Sequence, residues 1–267
     1  MNDTLDVILV NRRNQNDKFR TVLPANMCVR VLLILMLASA AVLVMGAGVG
    51  AAATTWYVDD GGGADYDTIQ DAVNVAGAGD TIYVYDGVYN EHVVISTSIT
   101  LSGQSESNVT IDGGGSGDCV KVSSSDVVLN GFTITNAGSY GLYAYSSDLS
   151  IERVTITDNG GYGIYFYSGK GFTLRDSTID GNGGGITYYR SATGDAIVED
   201  NVVTNNIGHG MAISLAEGKS ATVRNNKIDN NVGGSSDGIN VNIAGSGGLM
   251  TIENNPVTKS GRYGIYL

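Results

Sequence analysis

From residue 127 to the C-terminus, apolar and polar positions alternate in short segments that recur at a nearly fixed interval. Glycines mark the recurrence: Gly141, Gly163, Gly185, Gly210, Gly238 and Gly264 are spaced by 22, 22, 25, 28 and 26 residues. After the glycines run the alternating segments GLYAY, GIYFY, GITYY, GMAIS, GINVN and GIYL. Before them run VVLNGFTIT, LSIERVTIT, FTLRDSTID, AIVEDNVVT, ATVRNNKID and LMTIENNPVT. Aligned, these give one apolar column of Leu129, Ile151, Leu174, Val198, Val223 and Ile252, and a second of Ile134, Ile156, Ile179, Val203, Ile228 and Val257. A period of two within segments predicts strands, and a period in the twenties between them predicts a solenoid.

Leucine-rich repeats and parallel β-helices share this period. Each unit here carries two strand segments and no amphipathic helix, leucine is scarce, and the turns are built from Asn, Asp, Ser and Gly. The pattern therefore predicts an all-β, single-stranded, right-handed parallel β-helix. Alternation points Leu142/Ala144, Ile164/Phe166, Ile186/Tyr188, Met211/Ile213, Ile239/Val241 and Ile265/Leu267 inward. It points Tyr143/Tyr145, Tyr165/Tyr167, Thr187/Tyr189, Ala212/Ser214 and Asn240/Asn242 outward. Asn159, Asn182, Asn206 and Asn231 align at the turns, where Asn tolerates left-handed backbone and its amide can bond from coil to coil.

Ahead of the coils, one short helix is predicted with Asp67 as N-cap and Gln70 completing a capping box. Its apolar stripe is Ile69, Ala72, Val73 and Ala76, and Gly77 stops it. A solenoid needs its open end covered, so this helix is the expected lid. Residues 54–92 form the cap on this reading, and 93–267 the coils.

Residues 1–53 stand apart. Arg30 precedes 23 uncharged, mostly apolar residues, Val31 to Ala53, that end in Ala51-Ala52-Ala53. This describes a secretory signal cleaved after Ala53; its length also suits an uncleaved membrane anchor. Met27 offers an alternative start, which would make residues 1–26 an over-long reading frame. Either version exports the rest of the chain to the exterior or the cell surface. The first 53 residues hold five basic and three acidic side chains, leaving ten against 24 and a net charge of −14 for the remainder. That balance argues against nucleic acid or anionic lipid as a partner. Cys119 is the one cysteine of the exported part, so no internal disulfide is possible there. It falls in the glycine column, which suits a small packed thiol.

The run Asp67-Thr68-Ile69-Gln70-Asp71-Ala72-Val73, continuing through Gly79-Asp80-Thr81-Ile82-Tyr83-Val84 to Gly87-Val88-Tyr89-Asn90-Glu91, resembles the opening of the pectin-lyase-like superfamily. Within it the likeness is closest to surface β-helix proteins called carbohydrate-binding and sugar-hydrolysis domains. Periplasmic copper-binding β-helix proteins and pectin methylesterases share the same opening. The resemblance covers nearly all of the exported chain and implies the fold. Activity does not follow, since the superfamily includes lyases, hydrolases, esterases and non-catalytic binders.

Candidate chemistry is sparse. Gly208-His209-Gly210 copies a polygalacturonase motif, but His209 fills the slot that Tyr140, Tyr162 and Tyr263 occupy in other coils. The paired aspartates that should precede it are missing, and hydrolysis needs two carboxyls flanking the bond. Arg175, Arg190, Asp176, Asp180, Asp195 and Asp200 could supply parts of a lyase without copying one. Arg175 shares a column with Asn130, Glu152, Glu199, Arg224 and Glu253, which reads as a salt-bridged ladder. Asp59, Asp60, Asp65 and Asp67 could hold calcium weakly; no other cofactor is expected, and the absence of a Cys/His/Met cluster speaks against copper. The strongest candidate is an outward, flat aromatic patch of Tyr143, Tyr145, Tyr165, Tyr167 and Tyr189 edged by Arg190, suited to stacking on sugar rings. A non-catalytic carbohydrate binder or cell-surface layer component is expected. The alternatives are a polysaccharide-degrading enzyme and a structural spacer. The sequence stops within a repeat with no polar terminal cap, so the expectation is either coils truncated at the C-terminus, as in a fragment of a longer protein, or end-to-end self-association.

Overall fold

The computed structural model describes residues 52–124, 126–189 and 194–267. The N-terminal export segment and Arg190 lie outside these residues. The chain divides at Ala52/Ala53 into two units, and the second is the fold described below.

Strand pairing is parallel throughout, and each strand bonds to its equivalent one coil away, as a right-handed β-helix requires. Three stacks of strands wind around one core. The first runs through Thr55–Val58, Thr81–Val84, Thr100–Gly103, the start of Val127–Thr135, the middle of Leu142–Thr157, the end of Tyr162–Arg175, then Ala196–Glu199, Ser220–Arg224 and Leu249–Glu253. The second stack includes Gly87–Asn90, Val109–Asp112, Thr178–Asp180, Val202–Thr204 and Lys227–Asp229. The third includes Val93–Ile95, Val120–Val122, Gly184–Tyr188, Met211–Leu215 and Ile239–Ile243.

Both apolar columns are in register as the sequence predicts, Leu129 through Ile252 in the first stack and Ile134 through Val257 in the second. The inward residues from Leu142 to Val241 are buried; Ile265 and Leu267, in the last coil, are exposed. The glycine column exists because there is no room for more. A Cβ on Gly163 would lie 2.7 Å from Ile179 Cγ2 and 2.9 Å from Asn182 Nδ2. Cys119 is fully buried in that column, and burial pushes its thiol up to about 12.

The aligned asparagines form a continuous internal ladder. Asn159 Nδ2 donates to Asn182 Oδ1 (2.9 Å), Asn182 Nδ2 to Asn206 Oδ1 (3.0 Å) and Asn206 Nδ2 to Asn231 Oδ1 (2.9 Å). Left-handed backbone is not theirs, however. It belongs to the residue before each: Asp158, Gly181, Asn205 and Asn230, with φ of 55, 66, 56 and 55°. That residue turns the chain outward, and the asparagine after it points in. A second ladder of Ser177, Asn201, Asn226 and Asn255 lies between the first and second stacks, with Asn201 Nδ2 donating to Asn226 Oδ1 at 2.9 Å and Asn226 Nδ2 to Asn255 Oδ1 at 2.9 Å.

The helix spans Ile69–Val75 and buries Ile69, Ala72 and Val73. Its N-cap is Thr68 rather than Asp67: Thr68 has extended backbone, and its hydroxyl accepts from Asp71 N at 3.2 Å. No capping box forms with Gln70, whose Oε1 instead accepts from Val94 N (2.7 Å). Glu91 fills that role, its two carboxylate oxygens accepting from Ile69 N and Gln70 N at 2.8 Å each. Asp80 likewise gathers Thr54 N, Trp56 Nε1 and Gly77 N, and these bonds, led by Thr54 N, hold its carboxyl below the usual range. The residues that carry the family resemblance thus lock the cap together.

Candidate functional site: the tyrosine face

The outward face of the third stack is a grid set by strand register. One column runs Lys121, Tyr143, Tyr165, Thr187, Ala212, Asn240, Tyr266. Three residues earlier in each coil, a flanking column runs Asp118, Tyr140, Tyr162, Gly184, His209, Asp237, Tyr263. Two residues later come Tyr145, Tyr167, Tyr189, Ser214 and Asn242; a register shift after Phe166 pairs Tyr145 with Ser168 rather than with Tyr167.

Seven tyrosines from these columns form one cluster. Tyr140 and Tyr165 lie 4.8 Å apart between ring centroids at 11°, and Tyr167 and Tyr189 lie 5.4 Å apart at 16°. Parallel rings this close overlap face to face, since side-by-side rings in one plane would collide. Tyr143 bridges Tyr140, Tyr145 and Tyr165 at 5.7, 5.6 and 5.9 Å in tilted contacts. The expected flat sheet of ring faces is therefore a ladder, in which several faces are covered by neighbouring rings and edges and hydroxyls contribute to the surface. Tyr167 and Tyr189 are the most open, at 43 and 36 % exposure. Burial, followed by neighbouring tyrosines, raises the hydroxyl pKa of Tyr165, and burial also leads the rise at Tyr143. Both remain neutral phenols that donate and accept.

Sequence reasoning assigned Tyr143, Tyr145, Tyr165, Tyr167 and Tyr189 to the patch, and all five are in it. It left out Tyr140 and Tyr162, which it placed only in the slot before the glycine that His209 fills. Lys121 was also missed: its Nζ lies over the rings of Tyr143 and Tyr145 at 5.7 and 5.4 Å. The signal for all three was the column alignment itself.

Further along the face, His209 meets Asp237, 28 residues later. The Asp237 backbone N–H donates to His209 Nδ1 at 2.9 Å, and a carboxylate oxygen lies 3.6 Å from the same nitrogen. The Asp237 carboxylate is fully buried and accepts from Arg262 Nε (3.0 Å), Arg262 Nη2 (2.7 Å), Asn240 Nδ2 (2.7 Å) and Tyr263 N (3.2 Å). Arg262 holds its carboxyl down at about 2. The guanidinium also covers the rings of Tyr263 and Tyr266, at 4.9 Å from each. His209 is thus a turn histidine with a fixed partner. Its Nδ1 accepts, so the neutral ring carries its proton on Nε2.

The other polar candidates have structural partners. Glu199 sits between Arg175 Nε (3.2 Å) and Arg224 Nε (3.0 Å), forming the expected ladder. Asp180 accepts from Thr204 and Asn205, Asp195 from Ser220 N, and Asp200 from Asn225. Asp176 and Asp200 are left-handed turn residues. In the acidic loop, Asp59, Asp60 and Asp65 accept from the backbone of Gly61, Val88 and Tyr57. Among the described residues no group of three or more His, Cys, Asp or Glu side chains converges for a metal ion.

Residues 66–203 and 97–241 match a family profile described as right handed beta helix region. No curated protein matches the sequence. Among solved structures, the pectate lyase Pel9A is similar with a TM-score of 0.60 and 14% identity over 72% of this chain, which spans 63% of that lyase. A carrot pectin methylesterase gives 0.53 and 15% over 79% of this chain and 88% of its own. An alginate lyase from Paenibacillus sp. str. FPU-7 gives 0.50 and 15% over 80 and 99%. At these identities the likeness is one of fold.

Proposed function

The chain belongs to the right-handed β-helix family, and on that fold we propose that it is an exported, non-catalytic protein that holds a polysaccharide at the cell surface along its tyrosine face. The observation that carries this reading is the contiguous seven-tyrosine cluster on one outward face. Tyrosine edges, hydroxyls and open faces suit the mixed apolar and hydroxylated surface of a sugar chain, and a contiguous exposed aromatic surface is the usual mark of a binding site. The names of its structural neighbours refer to pectate, pectin and alginate, which fits a polysaccharide partner. Export rests on the apolar segment Val31 to Ala53. Among the described residues, no helix is long and apolar enough to cross a membrane.

The polar groups on the face favour binding over cleavage. A general acid must hold a proton near neutral pH, whereas Asp237 is ionised, buried and paired with Arg262. His209 Nδ1 is taken by a backbone N–H, and the carboxylate beside its ring is the Arg262-paired Asp237. Full-length protein incubated with neutral and uronic-acid polysaccharides, with and without calcium, is expected to release no new reducing or unsaturated ends. Cleavage that survives His209→Ala and is lost on substituting Asp176, Asp180, Asp195 or Asp200 would overturn the non-catalytic reading.

A further inference from the structure

A small side chain, Ala212, leaves a dip in the outward face just beyond the end of the tyrosine cluster. Tyr140 overlaps Tyr165 of the next coil, so rings of the flanking column lean one coil forward. Tyr162 does the same where no tyrosine follows: its ring lies against Gly184, where a Cβ would approach Tyr162 Cδ1 to 2.4 Å. The next rung carries His209 beside Ala212, and the one after it Asp237 beside Asn240. Ala212 is thus the small residue between a wall of tyrosine and a wall formed by Asn240, the Asp237–Arg262 pair and Tyr266. From the Thr187 rung, which the Tyr162 ring overhangs, to the Asn240 rung is two steps of roughly 4.8 Å, about the span of one sugar ring.

His209 is partly exposed, and its Nδ1 is held as an acceptor, so Nε2–H is a fixed donor with no partner among the described residues. On the rung before, Thr187 Oγ1 is buried without a hydrogen-bond partner among the described residues. Cations in the grid's columns stand at one end, where Lys121 lies over Tyr143 and Tyr145. Arg262, beside the other end, is already engaged by Asp237. A polyuronate brings one carboxylate per sugar and, among the described residues, would meet no free cation in the grid's columns from Tyr143 to Asn240, while facing the ionised Asp237 of the Asp237–Arg262 pair; Arg190 lies outside those residues. Burying an unpaired carboxylate there is unfavourable.

We propose that the His209/Ala212 rung is a subsite for an uncharged hexopyranose unit, with His209 Nε2–H as its donor, so that the face selects neutral polysaccharide over polyuronate. The inference rests on the tyrosine face being a glycan-binding surface. In it His209 is a specificity-determining residue, and Ala212 is small so that the sugar can approach.

Full-length protein is titrated with soluble neutral hexose polymers (β-glucan, mannan, galactan) and with polygalacturonate and alginate, by calorimetry at matched ionic strength. A neutral polymer is expected to bind at least tenfold more tightly than either polyuronate. His209→Ala should weaken that binding about tenfold, the loss expected for one hydrogen-bond donor, and His209→Gln, which keeps an acceptor and a donor, should restore most of it. Ala212→Phe, which fills the dip without touching the ladder, should weaken binding at least as much. A preference for polyuronate, or unchanged affinity in both His209→Ala and Ala212→Phe, overturns the subsite. The double substitution Tyr167→Ser/Tyr189→Ser separates the two levels: lost binding there with normal binding in the His209 and Ala212 variants removes only the subsite. Normal binding in the tyrosine variant removes the functional reading itself.

Discussion

Asn206 is the residue whose removal reports most clearly on how the coils are held together. It is fully buried, and its side chain makes four hydrogen bonds across two coils. Oδ1 accepts from Asn182 N and Asn182 Nδ2, both at 3.0 Å, and Nδ2 donates to Asn231 Oδ1 at 2.9 Å and Ile179 O at 3.0 Å. Asn206→Ala removes all four. Asn182 Nδ2 keeps Ile156 O and Asp180 O, and Asn231 Oδ1 keeps Asn206 N. The Asn182 backbone N–H is left with no acceptor, and Ile179 O loses its side-chain donor. A buried polar group left unsatisfied costs about 1–3 kcal/mol, so one such group and three weakened ones give a loss of about 2–4 kcal/mol. Urea unfolding followed by far-UV circular dichroism measures it, with Lys227→Ala, an exposed strand position, as the neutral control. Because repeat arrays can unfold in stages, amide exchange at Asn182 and Ile207 should accelerate in step. A loss below about 1 kcal/mol, with exchange at Asn182 unchanged, would refute the idea that the ladder bears stability.

Further outcomes follow from single positions. Gly163→Ala puts a methyl 2.7 Å from Ile179 Cγ2, so overpacking should cost at least about 1–3 kcal/mol in the same unfolding assay. Asp237 has a folded pKa lowered from 3.8 to about 2, so its contribution is present above pH 3.8 and lost as pH falls through 2; Arg262→Gln should flatten the acid limb of a Tm-against-pH profile. Cys119 is raised from 9.0 to about 12, so its contribution is present below pH 9 and lost as pH rises toward 12; Cys119→Ala should flatten the alkaline limb of that profile.

Much of this fold is written in the chain with a period of two inside a period in the twenties. Leu129 to Ile252 and Ile134 to Val257 could be aligned by eye because apolar burial allows few exceptions in a one-dimensional stack. Cys119 could be placed because the glycine column tolerates only small side chains. The second ladder, Ser177 to Asn255, was harder: in pairs such as Asn225-Asn226, one residue is the left-handed turn and the other points inward, and only register distinguishes them. Helix capping failed for a similar reason, since the effective partner of the helix N-terminus, Glu91, is more than twenty residues away from it. At the candidate site, alternation gave the direction of each tyrosine but not its ring plane, so a ladder of overlapping rings was read as a flat patch. His209 and Asp237 could not be paired in advance, because 28 residues, one full coil, separate them and only coil stacking brings them within 3.6 Å.

The most direct test of the tyrosine face compares full-length protein with its Tyr143→Ser/Tyr165→Ser/Tyr167→Ser variant for retention in polysaccharide-containing native gels. Circular dichroism would confirm that both are folded. Wild-type protein should be retarded by at least one polysaccharide, and the variant should migrate as it does in a gel without polymer. Equal retardation of the two, or no retardation of the wild type by any polymer, would contradict a glycan-binding role and leave the tyrosines as packing for the solenoid.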